Sequence, residues 1–148
     1  MRMLKHNSRL VYLAATLAMT FATFATVSPA SADTRRGSFY SAHTTDDRNS
    51  LAEKAVFTPE TGKVYVAYTL NDVNPGTKIR IVWTAEKVDG LIENSKIDQG
   101  EATSTSRIDG LFSYSKPPKG WPGGTYRIDL FLDGRLEKTL HFKVNAKT

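Results

Sequence analysis

The stretch "KPPKGWPGGTYRIDLFLDG", residues 116–134, joins a loop of prolines and glycines to an alternating run. In that run Tyr126, Ile128, Leu130 and Leu132 share one face, and Arg127, Asp129 and Phe131 share the other. Period-two alternation is what a strand with one buried and one wetter face requires. The loop carries Trp121, and with it a question. Either the indole closes the end of a core, or it lies open to a ligand.

The same period recurs on both sides. "KVYVAYTL" places Val64, Val66, Tyr68 and Leu70 on one face, and "TKIRIVWTAEK" places Ile79, Ile81 and Trp83 together. "RLEKTLHFKVN" keeps Leu136, Leu140, Phe142 and Val144 in step, interrupted by Lys138. Ile108, Phe112 and Tyr114 mark a further strand, and "AVFTP" (55–59) a short edge strand ended by Pro59. The Ser/Thr-rich span 93–107 reads as one weak edge strand or a long loop. "NDVNPGT" (71–77) is a turn cluster, and Asp89-Gly90 and Asp133-Gly134 suit tight hairpins whose turn residues need positive φ. No helical period survives after residue 32. About seven short strands with regular turns predict two packed antiparallel sheets.

The first 32 residues stand apart. Arg2, Lys5 and Arg9 precede an apolar run that ends in small residues at Ala30 and Ala32. That order is a secretory signal peptide (1–32), with cleavage expected after Ala32. The alternative is a membrane anchor, since the run is near the lower length for spanning a bilayer. The Ala-Ser-Ala end and the polar residues after it favour cleavage, and no stable membrane insertion is expected afterwards. Of 20 Lys+Arg and 15 Asp+Glu, three bases and no acids lie in this segment, leaving 17 against 15, or +2. The remaining bases are scattered, which excludes the concentrated basic face of a nucleic-acid binder. The chain has no cysteine, so disulfides, zinc-cysteine sites and thiol chemistry are excluded. Residues 33–50 read as a flexible polar leader and 51–148 as a single domain.

Two runs carry a resemblance. "KIRIVWTAEK" resembles the third strand of immunoglobulin-like domains, which places a core tryptophan at its middle. "GGTYRIDLFLDGRLEKTLHFKV" resembles their last two strands, as small exported bacterial proteins with immunoglobulin-like or fibronectin-like β-sandwich domains carry them. The resemblance covers about residues 52–145 and implies an all-β, immunoglobulin-like sandwich. The inter-sheet cysteine pair of antibody domains is missing. It also implies a tyrosine near the start of the penultimate strand, with its hydroxyl bonded back to the preceding corner; Tyr126 holds that place. Residues 115–124 would then be the corner, with Trp121 folded over the open end of the core and its indole N–H on a backbone carbonyl. The competing reading lays Trp121 flat on the surface as a platform for a sugar ring or a partner, with Lys116 and Lys119 supplying polar contacts.

Catalysis finds little support. No nucleophile-elbow motif is present, only His43 and His141 remain after residue 32, and Asp46-Asp47 are adjacent rather than facing across a substrate. "HTTDD" gathers His43, Asp46 and Asp47 as a possible copper or zinc site, but few ligands in a flexible segment make a weak one. No cofactor and no metal are therefore expected. Phe39-Tyr40, an apolar pair in a polar leader, reads as an added edge strand or a docking point, and edges near 55–58 and 93–107 could accept a partner strand. The expectation is an exported, non-enzymatic binding protein of the bacterial envelope, periplasmic or secreted. Its candidate contacts are Trp121, Lys116, Lys119, Phe39 and Tyr40, and its partner an envelope or secreted protein. A carbohydrate-binding module for polysaccharide and a small periplasmic metal-binding protein are the alternatives.

Overall fold

The computed structural model describes residues 37–146; the expected signal peptide lies outside them, as do residues 33–36 and 147–148. The described chain forms eight strands: β1 (Ser38–Thr45), β2 (Val56–Phe57), β3 (Lys63–Asn71), β4 (Lys78–Val88), β5 (Ser95–Thr103), β6 (Asp109–Ser115), β7 (Gly124–Leu132) and β8 (Arg135–Val144). They make a three-stranded sheet in the order β1-β3-β6 and a five-stranded sheet in the order β2-β8-β7-β4-β5. All pairings are antiparallel except β2 with β8, which is parallel. This is an immunoglobulin-like sandwich in which β3, β4, β7 and β8 take the second, third, penultimate and last places.

The inward residues are those the alternation picks out. Val64 and Val66 of β3, Ile81 and Trp83 of β4, Ile128 and Leu130 of β7, and Phe142 and Val144 of β8 are each no more than 2 % exposed. Trp83 packs against Tyr114 and Phe142, with ring centroids 5.8 and 6.2 Å away. Each such side chain contributes about 1.5–3 kcal/mol on leaving water. With no disulfide to help, this layer holds the domain.

Four departures from the sequence reading have local causes. First, residues 38–45 are not a flexible leader but β1, paired with β3 from Ser38↔Asn71 to Thr45↔Tyr65. The domain therefore includes this strand rather than starting at residue 51. Second, of the two readings of the span 93–107 the edge strand is the one formed, and it departs only in being a full nine residues long, β5. Its inward positions include Gly100 and Ala102, small because Phe112 fills the space: a Cβ on Gly100 would lie 2.9 Å from that ring. Third, Glu137 is an extra residue in β8, since Lys138 pairs with Leu130 and Leu136 with Phe131. The phase break turns Leu136 outward, where it is half exposed. Fourth, only Asp133-Gly134 forms the tight hairpin, both residues with positive φ (46° and 81°). Asp89-Gly90 opens a longer loop, 89–94, which ends on Asn94 at φ 57°.

Candidate functional site

One end of the sandwich gathers the loops 58–62, 89–94 and 116–123, and there the chain builds a corner. The Lys116 N–H donates to Gly62 O (2.8 Å), the Gly120 N–H to Pro117 O (2.9 Å), and the Trp121 N–H to Pro59 O (2.9 Å). The Trp121 indole N–H donates to Thr61 O at 2.8 Å. Its ring stands edge-on to Tyr114, Tyr126 and Phe142, at centroid distances of 5.4, 5.6 and 5.9 Å. The Tyr126 hydroxyl donates back to Pro122 O at 2.8 Å, and its ring stacks on Phe142 at 4.7 Å. Burial pushes the Tyr126 phenol up to about 12, with smaller contributions from Tyr114 and Asp89.

Trp121 is 2 % exposed. The platform reading is thereby corrected: no flat face is open to a sugar, because the ring satisfies its one polar atom internally and is enclosed by aromatic neighbours. It serves instead as the wall of a groove of about 510 Å³, lined by Leu91, Ile97, Tyr114, Pro117, Pro118, Lys119, Gly120, Trp121, Pro122 and Tyr126.

The groove's outer lip is apolar. Loop 89–94 is tied at its base by the Asp89 N–H on Gly123 O (2.9 Å) and closed by the Ser95 N–H on Ile92 O (3.2 Å). Between these bonds Leu91 and Ile92 project, 43 % and 82 % exposed. Scattered exposed apolar residues are ordinary; two in succession at the mouth of an apolar groove form a contiguous patch of the kind that marks contact surfaces. Lys119 is the one charged residue in the lining. Neither it nor Lys116, exposed on the same loop, enters an ion pair among the described residues. No carboxylate or imidazole lines the groove, so its chemistry is that of an apolar cleft with a cation at the rim.

The other candidates fall elsewhere. Phe39 is a core residue, edge-on to Tyr68 at 5.5 Å. Tyr40 is the extra residue of a bulge in β1, 77 % exposed, toward the opposite end of the sandwich. Neither meets the groove. The residues of "HTTDD" diverge: the His43 imidazole bonds to Leu51 O at 2.8 Å and Asp46 pairs with Lys54 at 2.5 Å. Asp47 accepts the N–H groups of Asn49 and Ser50, the Asn49 bond doing most to hold its carboxyl below the usual range. Among the described residues, no three His, Asp or Glu side chains are placed to share a metal ion. His141 points outward, 3.4 Å from Glu86. The sequence reading missed Leu91, Ile92, Ile97 and Tyr114. The one local signal was "DGLIEN" (89–94), where two large aliphatics occupy positions a turn normally fills with polar residues.

Comparison with known proteins agrees on architecture. No protein-family model matches the chain, and no curated protein matches it in sequence. Among solved structures, it is similar to an immunoglobulin-like protein from Pseudomonas aeruginosa (TM-score 0.55, 14 % identity, covering 76 % of this chain and 99 % of that one). It is more loosely similar to an alkylpurine DNA glycosylase from Pseudomonas fluorescens (TM-score 0.46, 12 % identity, 74 % of this chain and 30 % of that one). A β-glucosidase from Listeria innocua compares at TM-score 0.43 and 8 % identity, over 76 % of this chain and 16 % of that one. The first likeness shows the fold alone, and the other two carry no argument. The chain has the immunoglobulin-like fold, without a disulfide.

Proposed function

We propose that this protein is exported into the bacterial envelope, to the periplasm or beyond, and acts there by binding a protein partner without catalysis. The observation that carries the reading is the apolar groove against Trp121, with exposed Leu91 in its lining, exposed Ile92 next to it in sequence, and Lys119 as the only charge in the lining. An apolar side chain of the partner enters the groove, and an acidic group beside it meets Lys119, with Lys116 close by in the loop. Export is supported by the charged, apolar and small-residue order of residues 1–32. A polysaccharide ligand lacks the Trp121 platform and would have exposed Tyr40 as its aromatic contact, and a metal carrier lacks a gathered ligand set, since His43, Asp46 and Asp47 diverge.

The test is site-specific photocrosslinking in the host envelope. A photoreactive residue replacing Leu91 is compared with one replacing Leu136, which is exposed on the outer face of the five-stranded sheet. A discrete adduct formed from Leu91 but not from Leu136, and weakened by Lys119→Glu, is the expected result. Equal labelling from both positions, or none from Leu91, overturns the proposal.

A further inference from the structure

A sheet edge left open invites another strand, and natural proteins blunt edges with short strands, bulges and charges. Among the described residues this sandwich has four edges, and three are blunted. β1 carries the bulge at Tyr40. β2 is two residues long, and the rest of that edge is β8, with its extra residue at Glu137 and the charges Arg135, Glu137 and Lys138. β5 has an irregularity that leaves Ile97 unpaired between Asp98 and Lys96, and it bears Lys96, Asp98 and Glu101. The fourth edge, β6, has none of these devices. Its register against β3 is unbroken from Asp109 to Ser115, and Asp109 is its only charge.

The direction of the free main-chain groups follows from the ladder. Ile108 O accepts the Leu70 N–H, and the Lys116 N–H donates to Gly62 O. Even-numbered residues of β6 therefore turn their N–H and C=O groups toward β3, because these groups alternate in direction along an antiparallel strand. The N–H and C=O groups of Asp109, Leu111, Ser113 and Ser115 face the open edge, and all four residues are exposed.

We infer that β6 pairs with β6 of a second copy, antiparallel about a two-fold axis at Phe112, joining the two three-stranded sheets into one. The strand is self-complementary in that register. Leu111 and Ser113 of one copy form hydrogen-bonded pairs with Ser113 and Leu111 of the other, and Asp109 pairs with Ser115. Phe112, half-buried and stacked on Tyr68 at 5.7 Å, faces its own counterpart, and aromatic pairs opposite one another favour association. The two Leu111 side chains, each 37 % exposed, lie diagonally across the axis at about 7–8 Å. The same patch on both copies closes a symmetric dimer.

The test is sedimentation equilibrium of the purified protein up to near-millimolar concentration, with amide exchange followed by NMR. The expected result is a dimer in which the Leu111 and Ser113 amides become protected as concentration rises, while those of Gly110 and Phe112 are protected throughout. Ser113→Pro removes an edge-facing N–H, a change tolerated on an edge strand, and gives a monomer with unchanged circular dichroism. Leu111→Lys sets like charges across the axis and also gives a monomer, which decides the matter should the proline variant fail to fold. A wild-type protein that stays monomeric throughout overturns the inference, as does a dimer that survives in a folded Ser113→Pro or in Leu111→Lys.

Discussion

Removing the Trp121 side chain tests whether the corner closes the core. The ring is 2 % exposed, meets three aromatic neighbours edge-on, and satisfies Thr61 O through its indole N–H. Truncating a buried tryptophan to alanine costs about 3–5 kcal/mol, and the lost hydrogen bond adds about 1 kcal/mol. Trp121→Ala is therefore expected to cost about 4–6 kcal/mol, against a total of about 5–15 kcal/mol for a domain. With a urea slope of about 1.5 kcal/mol per molar, the unfolding midpoint falls by about 3–4 M. Trp121→Phe keeps most of the apolar contact and loses the bond to Thr61, for about 1–2 kcal/mol. The assay is urea unfolding followed by circular dichroism. A companion Trp83→Phe variant leaves Trp121 as the only tryptophan, and its emission is expected to be blue-shifted and protected from acrylamide. A loss below about 1 kcal/mol for Trp121→Ala, or red-shifted and readily quenched emission, would refute the account of the ring as a buried plug.

Three further outcomes are expected. Because burial raises the Tyr126 phenol to about 12 from an ordinary value of about 10, ionisation favours the unfolded chain. The associated stability is complete below pH ~10 and is lost up to pH ~12 at about 1.4 kcal/mol per pH unit. Tyr126→Phe should flatten that slope in alkaline urea titrations while costing about 1 kcal/mol at neutral pH for the lost bond to Pro122 O. Gly110→Ala should cost about 1–3 kcal/mol in thermal or urea unfolding, since a Cβ there would overlap the Tyr68 ring. A chain beginning at Asn49 loses β1 and uncovers one side of β3, so it should show no cooperative unfolding transition; retained cooperativity would mean that β1 is dispensable.

What could be read from the residues alone was whatever a single strand expresses by itself. Val64 and Val66, Ile79 and Ile81, and Ile128 and Leu130 alternate without interruption because the extra residues of these ladders fall in β1, β5 and β8 or further along β4, and all six are buried. Tyr126 was legible as a corner tyrosine because its partner, Pro122, is four residues away. β1 was obscured because the bulge at Tyr40 breaks its period and only Phe39 is a large buried apolar residue within it. β5 was obscured because Gly100 yields its space to Phe112 from the facing sheet, so its hydrophobic contribution comes from another strand. The groove was hidden for a similar reason. Leu91, Ile97 and Tyr114 become neighbours of Pro117 and Pro118 only when two sheets and two loops come together. Trp121, the conspicuous residue in the sequence, proved to be the groove's supporting wall.

The division of the first strand between the two sheets governs how the domain would bear tension. β1 lies in one sheet against β3, and after a connection β2 lies in the other, parallel to the final residues of β8. Ser38 sits beside Asn71 at one end of the sandwich, while Val144 sits beside Gly124 and Phe57 at the other. A pull between these points runs along the strands rather than across them. The β1–β3 ladder and the short β2–β8 ladder are then loaded in shear, so that their hydrogen bonds resist together instead of opening one after another like a zip.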